Sequence, residues 1–151
     1  HIHLKVSNLD RSLDFYCGVL GFTLKQRISD QAAFIAAGDY HHHIGLNTWE
    51  SNNGASPPLG STGLYHLAIL YPERKELADA LQRLQSHNIT LTGASDHGVS
   101  EALYLDDPDK NGVELYWDRP QNMWPKDENK NLTMYIKPLD LRSLLDEVEK
   151  K

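Results

Sequence analysis

At 151 residues, 40 % apolar and 24 % charged, the chain is long enough to bury a core and is ordinary in composition for a globular protein. A net charge of −6 with no Lys/Arg run excludes a basic nucleic-acid footprint, and no apolar stretch reaches the length of a membrane span. The single cysteine, Cys17, excludes an internal disulfide; with no signal peptide visible either, the expected location is the cytoplasm.

In chain order, His1–Val6 alternates as a half-buried strand, with Ile2, Leu4 and Val6 on one face and His1, His3 and Lys5 on the other. A helix follows, capped by Ser7 or Asn8, with Leu9, Leu13, Tyr16, Cys17 and Leu20 on one stripe and Gly21 as its stop. Three strands are expected next, at Phe22–Ile28, Ala32–Ala37 and His42–Trp49, separated by polar or Gly-containing turns. A compositional oddity falls here: of eight histidines, three are consecutive, His41, His42 and His43.

The Ser-, Asn-, Gly- and Pro-rich stretch Glu50–Thr62 is a connector. Then the pattern restarts. Tyr65–Tyr71 is a strand with Leu67 and Ile69 on one face and His66, Ala68 and Leu70 on the other. Pro72 opens a helix with the stripe Leu77, Ala80, Leu81 and Leu84, ended by Asn88. Strands are expected at Ile89–Thr92, Ala102–Asp106 and Val113–Asp118, the last two joined by a turn from Asp107 to Gly112. Beyond them, Leu132–Lys137 reads as one more strand, and Leu139–Glu149 as a short helix turning Leu141, Leu144, Leu145 and Val148 inward. The organisation is a repeated βαβββ: a first module over 1–49, a connector over 50–63, a second module over 64–119 and a C-terminal extension over 120–151.

Strand parity selects metal-capable residues. His66 stands opposite the apolar face of its strand, and either His1 or His3 does so at the start of the first module. In the final strand Val113, Leu115 and Trp117 share one face, which turns Glu114 and Tyr116 to the other. Two histidines and a carboxylate leave part of a coordination sphere open, the requirement of non-haem Fe(II) oxygen chemistry.

Ser7–Tyr16 followed by Leu20-Gly21-Phe22, and Asp107-Pro108-Asp109 through Asn111-Gly112-Val113-Glu114-Leu115-Tyr116, resemble the first-module and last-strand signatures of the vicinal-oxygen-chelate superfamily. That superfamily includes glyoxalase I, fosfomycin-resistance transferases, bleomycin-binding proteins, methylmalonyl-CoA epimerases and extradiol dioxygenases. The resemblance implies an α+β fold, two βαβββ modules forming a curved, barrel-like mixed sheet around a metal cavity. It also implies His1 rather than His3 as the first ligand, with His66 and Glu114 completing the metal set.

By repeat alignment the position equivalent to Glu114 is Gly45, which cannot ligate and so argues against a four-ligand isomerase. His43 shares the parity of Gly45, and alternation with Leu103 and Leu105 turns Tyr104 to the cavity side. His97, with the segment Val99–Tyr104 and Asp118-Arg119-Pro120, resembles catechol 2,3-dioxygenase-type proteins, although Ser95 and the longer turn before Glu114 depart from that signature. The resemblance therefore implies an extradiol dioxygenase cleaving catechol-like aromatic diols with O2, in aromatic catabolism. Its cofactor is expected to be Fe(II), with Mn(II), Ni(II) or Zn(II) as alternatives. His43 or His97 is the expected acid–base group and Tyr104 the hydrogen-bonding one. The runners-up are a glyoxalase- or fosfomycin-type metalloenzyme and a non-catalytic binding protein. Relatives pair modules within or between chains, so a homodimer, or a second module pair in a longer chain, is expected.

Overall fold

Leu4 and Val6 are buried and His3 and Lys5 exposed, so the opening alternation builds a one-sided strand, β1 (Ile2–Lys5). The computed structural model describes residues 1–150; Lys151, the last residue of the expected extension, lies outside the described residues. The chain divides into two units, His1–Tyr65 together with Asp107–Asn111, and His66–Asp106 together with the chain from Gly112 onward.

In the first unit Asn8 caps α1 (Leu9–Leu13), its side chain accepting from the Arg11 N–H at 2.9 Å. The helix was expected to run unbroken to Leu20. Instead it widens to a π-helical stretch over Asp14–Val19, which buries Phe15, Tyr16 and Val19 together. Strands β2 (Thr23–Ile28), β3 (Ala32–Ala36) and β4 (Ile44–Asn47) complete a sheet of order β1-β4-β3-β2, with β1 parallel to β4 and the remaining pairs antiparallel. Ala33, Ile35 and Leu46 are fully buried. The buried Tyr16 hydroxyl donates to Asp107 at 2.8 Å, and Ser7 and Arg11 both donate to Asp109. These bonds fasten the turn Asp107–Asn111 to the helix.

In the second unit β5 (Leu67–Tyr71) leads to α2 (Arg74–Ser86). The helix starts two residues later than Pro72, where Glu76 accepts from the Glu73 N–H and so satisfies a first-turn donor. Its stripe, Leu77, Ala80, Leu81 and Leu84, is buried as the spacing requires. Asn88 ends it in the left-handed region, φ 55°, while the Ile89 N–H returns to the Leu84 carbonyl. That helix stop uses up Ile89, so the expected strand at Ile89–Thr92 does not form and β6 lies at Gly93–Asp96. Strands β7 (Ser100–Asp106) and β8 (Gly112–Asp118) follow, then β9 (Lys137–Pro138) and α3 (Leu141–Glu149). The sheet order is β5-β8-β7-β6-β9, with only β5 and β8 parallel. Of the tail strand expected over Leu132–Lys137 only Lys137 joins the sheet, because Leu132 pairs instead with Lys126 in a separate bridge.

The architecture is α+β with two mixed sheets, but neither sheet closes into a barrel. Each is open, ending on β1 and β2 in one unit and on β5 and β9 in the other. Alternation along a strand specifies its faces and leaves its edges undetermined, which is why the open edges were not legible.

Candidate functional site

Glu114 occupies the middle of the second sheet. Its strand β8 runs between β5 and β7, with Ala68 beside Glu114 on one side and Tyr104 on the other. His66, two residues before Ala68, projects to the same face by the period of two. The outcome is a contact of 2.8 Å between His66 Nε2 and Glu114 Oε2. The Tyr104 hydroxyl lies 3.4 Å from Glu114 Oε1 and 2.7 Å from His97 Nε2. His66, Glu114, Tyr104 and His97 thus form one continuous polar chain, and all four are half-buried. Tyr116, on the same face, has its phenol pushed up by burial, with Asp118 and Glu114 adding to the effect.

His97 sits in the short loop between β6 and β7, closed by its own N–H to the Ser100 carbonyl at 2.9 Å. Its other ring nitrogen, Nδ1, is 3.1 Å from the Tyr135 carbonyl oxygen. Beneath the loop Arg119 holds Asp96 through two bonds of 2.6 and 3.1 Å and Glu101 through a third of 2.9 Å. Arg119 holds the Asp96 carboxyl below the usual range. Tyr135 and this ion-pair group were not found from the sequence. Both involve partners many residues apart, with no shared periodicity to betray them.

The first unit holds His1, His3, His41, His42 and His43. His1 is exposed, its ring centroid 4.5 Å from that of His42. Partial burial and the neighbouring His41 hold the His42 imidazole below its ordinary range. His3 packs between Phe34 and Trp49 and accepts from Asn47 Nδ2 at 2.9 Å. His43 is exposed, stacked on Tyr40, and its Nδ1 accepts from the Ala37 N–H.

The two sheets share one register rule. Ile2 pairs with Ile44 and His3 with Gly45, as Leu67 pairs with Val113 and Ala68 with Glu114. His1 is therefore the repeat equivalent of His66, and Gly45 that of Glu114. Among the described residues no group of three or more His, Cys, Asp or Glu side chains is placed to hold a metal ion; the second unit contributes a pair. An imidazole and a carboxylate converging at 2.8 Å suit a divalent cation of the first transition row, so the donor chemistry fits a bound metal.

A sequence model of the Glyoxalase/Bleomycin resistance protein/Dioxygenase superfamily matches residues 1–115. The chain belongs to this superfamily. Among superfamily relatives it is 46 % identical over 146 residues to a catechol-2,3-dioxygenase of Bacillus subtilis (strain 168), covering 95 % of this chain and 50 % of that protein. It is 30 % identical over 118 residues to biphenyl-2,3-diol 1,2-dioxygenase 2 of Rhodococcus globerulus, covering 78 % of this chain and 61 % of that one. The chain thus spans about half the length of the first relative and under two thirds of the second. A solved glyoxalase/dioxygenase structure from Nostoc punctiforme shares the superfamily fold with a TM-score of 0.64 at 21 % identity, over 80 % of this chain and 90 % of that one. No helix among the described residues is long and apolar enough to cross a membrane.

Proposed function

We propose that this chain is an extradiol dioxygenase-type oxidoreductase, or the part of one that it spans, cleaving catechol-like aromatic diols with O2. The observation that carries the reading is the polar chain His66–Glu114–Tyr104–His97, in which a metal-capable pair continues directly into a proton-carrying pair. His66 and Glu114 are the proposed ligands of Fe(II), with His1, the repeat equivalent of His66, as the third. Mn(II), Ni(II) and Zn(II) suit the same donors. When bound, the metal would supply the positive charge that acidifies the diol hydroxyls and gathers both reactants in one sphere.

The chain's own residues have separable tasks. His66 and Glu114 offer one neutral and one negative donor, so the site's charge is set by a single carboxylate. Tyr104 reaches both Glu114 and His97, placing a hydroxyl where a substrate proton leaves. His97 Nε2, 2.7 Å from that hydroxyl, receives the proton and returns it. Three observations narrow the alternatives. Gly45 stands where a fourth donor would be needed for isomerase-type ligation, which favours an open set. His43 is exposed with Nδ1 engaged by the Ala37 N–H, and this favours His97 over His43 as the acid–base group. The packing of His3 on Phe34, Trp49 and Asn47 supports His1 over His3 as ligand.

The test is to load metal-stripped protein with Fe(II) without air, add catechol, admit air, and follow O2 uptake with the ultraviolet–visible spectrum. Stoichiometric uptake with a coloured ring-fission product is expected. Iron binding without O2 uptake overturns the ring-cleavage reading in favour of an isomerase or transferase. A protein that binds no metal overturns the ligand assignment as well.

A further inference from the structure

The tail beyond β8 folds back as a strap over the His97 loop. Asp127 draws in the N–H groups of Asn129 and Asn131, closing a turn whose arms meet where the Thr133 N–H reaches the Pro125 carbonyl at 3.0 Å. The chain then passes over the loop. The Tyr135 N–H donates to the His97 carbonyl at 3.3 Å, the Tyr135 carbonyl faces His97 Nδ1 at 3.1 Å, and Lys137 pairs with Asp96. Gly98 makes this approach possible. Its φ is +79°, and a Cβ built there would meet Tyr135 Cε1 at 2.7 Å and Pro125 Cγ at 2.8 Å.

From this geometry we infer that Tyr135 is a positioning residue: its carbonyl fixes the tautomer of His97 and so dedicates Nε2 to the Tyr104 hydroxyl. A neutral imidazole has one N–H and one lone pair, and the partner of each nitrogen decides where the proton resides. A carbonyl oxygen only accepts. Nδ1 therefore carries the N–H, and Nε2 presents its lone pair 2.7 Å from Tyr104 Oη. The hydroxyl accepts as readily as it donates and so cannot make this choice; its one proton, given to Nε2, leaves the 3.4 Å approach to Glu114 Oε1 as a contact rather than a second donation. Held this way, the ring takes up a proton at one place only, the nitrogen that faces the Tyr104 hydroxyl. A ring free to adopt the other tautomer would offer Tyr104 an N–H in place of a base. The chemical consequence rests on the ring-cleavage reading; the tautomer rests on the strap alone.

Long-range 1H–15N correlation spectra of histidine-labelled, metal-free protein at mildly alkaline pH read the tautomer directly. For His97 the unprotonated nitrogen is expected to correlate with both ring carbon-bound protons, the pattern of Nδ1–H. Tyr135→Phe, which keeps ring and backbone, and Tyr104→Phe, which removes only the hydroxyl, should leave that pattern intact. Tyr135→Ala and Gly98→Ala loosen the strap and should give a mixture of both tautomers. In the iron-loaded protein Tyr135→Ala should lower turnover by about 10–100-fold, the usual effect of losing an orienting partner, with Tyr135→Phe near wild type. A wild-type His97 protonated at Nε2, or an unchanged pattern in Tyr135→Ala, overturns the inference. If no variant and no wild-type protein cleaves a diol while the tautomer responds as expected, the strap's role stands and the ring-cleavage reading fails.

Discussion

Glu114 Oε2, in β8, lies 2.8 Å from Nε2 of His66, the residue before β5, and the parallel register of these strands sets Ala68 beside Glu114. The pairing is a product of β-sheet geometry: a residue just before β5 and one inside β8 share a face because their separation from the paired position is even. Glu114→Gln keeps the size and polarity of the side chain and removes only its charge. Iron affinity is therefore expected to fall about a hundredfold or more, since even an outer partner of a ligand is worth about 10–100-fold. Thermal unfolding should barely move. His66→Ala should act likewise. Anaerobic Fe(II) titration of both variants decides the matter, and wild-type affinity in each would sink the ligand pair.

The buried Tyr16–Asp107 bond should show in the pH dependence of stability. Burial, reinforced by Asp107 and Asp109, pushes the Tyr16 phenol far above the usual tyrosine range. A folded-state pKa raised in this way leaves stability whole below the unfolded value of about 10 and erodes it as pH rises further. Tyr16→Phe should flatten that alkaline decline. At neutral pH it should cost about 1–2 kcal/mol, because Asp107 loses a buried donor while keeping those of Asp109 and Asn111. Tyr71, also raised chiefly by burial, leaves part of the alkaline slope in place. Urea unfolding across that range checks the claim; an unchanged slope in Tyr16→Phe refutes it.

These two pairs show what was legible and what was not. Glu114 and His66 were readable because apolar neighbours such as Val113, Leu115 and Leu67 mark the buried face, which fixes the face of every residue between them. The matching registers of Gly45 and Glu114 were foreshadowed by the repeat for the same reason. Helix and strand limits were less secure. Ile89 carries the hydrophobic signal of a strand and serves instead to close a helix end, and Asp14–Val19 changes pitch within an unbroken apolar stripe. Of the Tyr135 strap only the strand expected over Leu132–Lys137 was legible, and of that only Lys137 pairs in the sheet; its hold on His97 was not. It acts through a backbone carbonyl and a two-residue strand containing Pro138, and neither leaves a pattern in side-chain chemistry.

The second unit depends on a chain of alternating charges. Asp96, Arg119, Glu101, Arg74 and Glu147 follow one another through contacts of 2.6 to 2.9 Å. Glu101 is 5 % exposed and keeps only Arg74 when Arg119 is removed. Arg119→Ala should therefore destabilise by about 3 kcal/mol, the cost of a buried carboxylate deprived of one partner. Arg119→Lys should rescue little, because a single ammonium cannot span Asp96 and Glu101 together. Asp96 adds a pH signature. Its folded pKa is depressed chiefly by Arg119, so its stabilisation holds above the usual carboxylate range and fades as pH falls through it. Acid unfolding of Arg119→Ala should lose that component. An Arg119→Lys protein as stable as wild type would show that the forked geometry is unimportant.

Gly45 and His3 should prove coupled. A Cβ at Gly45 would lie 2.9 Å from His3 Cγ and Nδ1 and 3.0 Å from Cδ2, so the ring rests directly on the bare backbone of the neighbouring strand. Gly45→Ala must turn the imidazole aside, breaking its bond with Asn47 and its contacts with Phe34 and Trp49. A cost of about 1–3 kcal/mol is expected, as for other overpacked sites. His3→Ala removes the obstacle, so the double variant should be no less stable than His3→Ala alone. The double-mutant cycle isolates this term by comparing four unfolding curves. If Gly45→Ala costs the same with and without His3, the glycine serves the backbone of β4 rather than the ring.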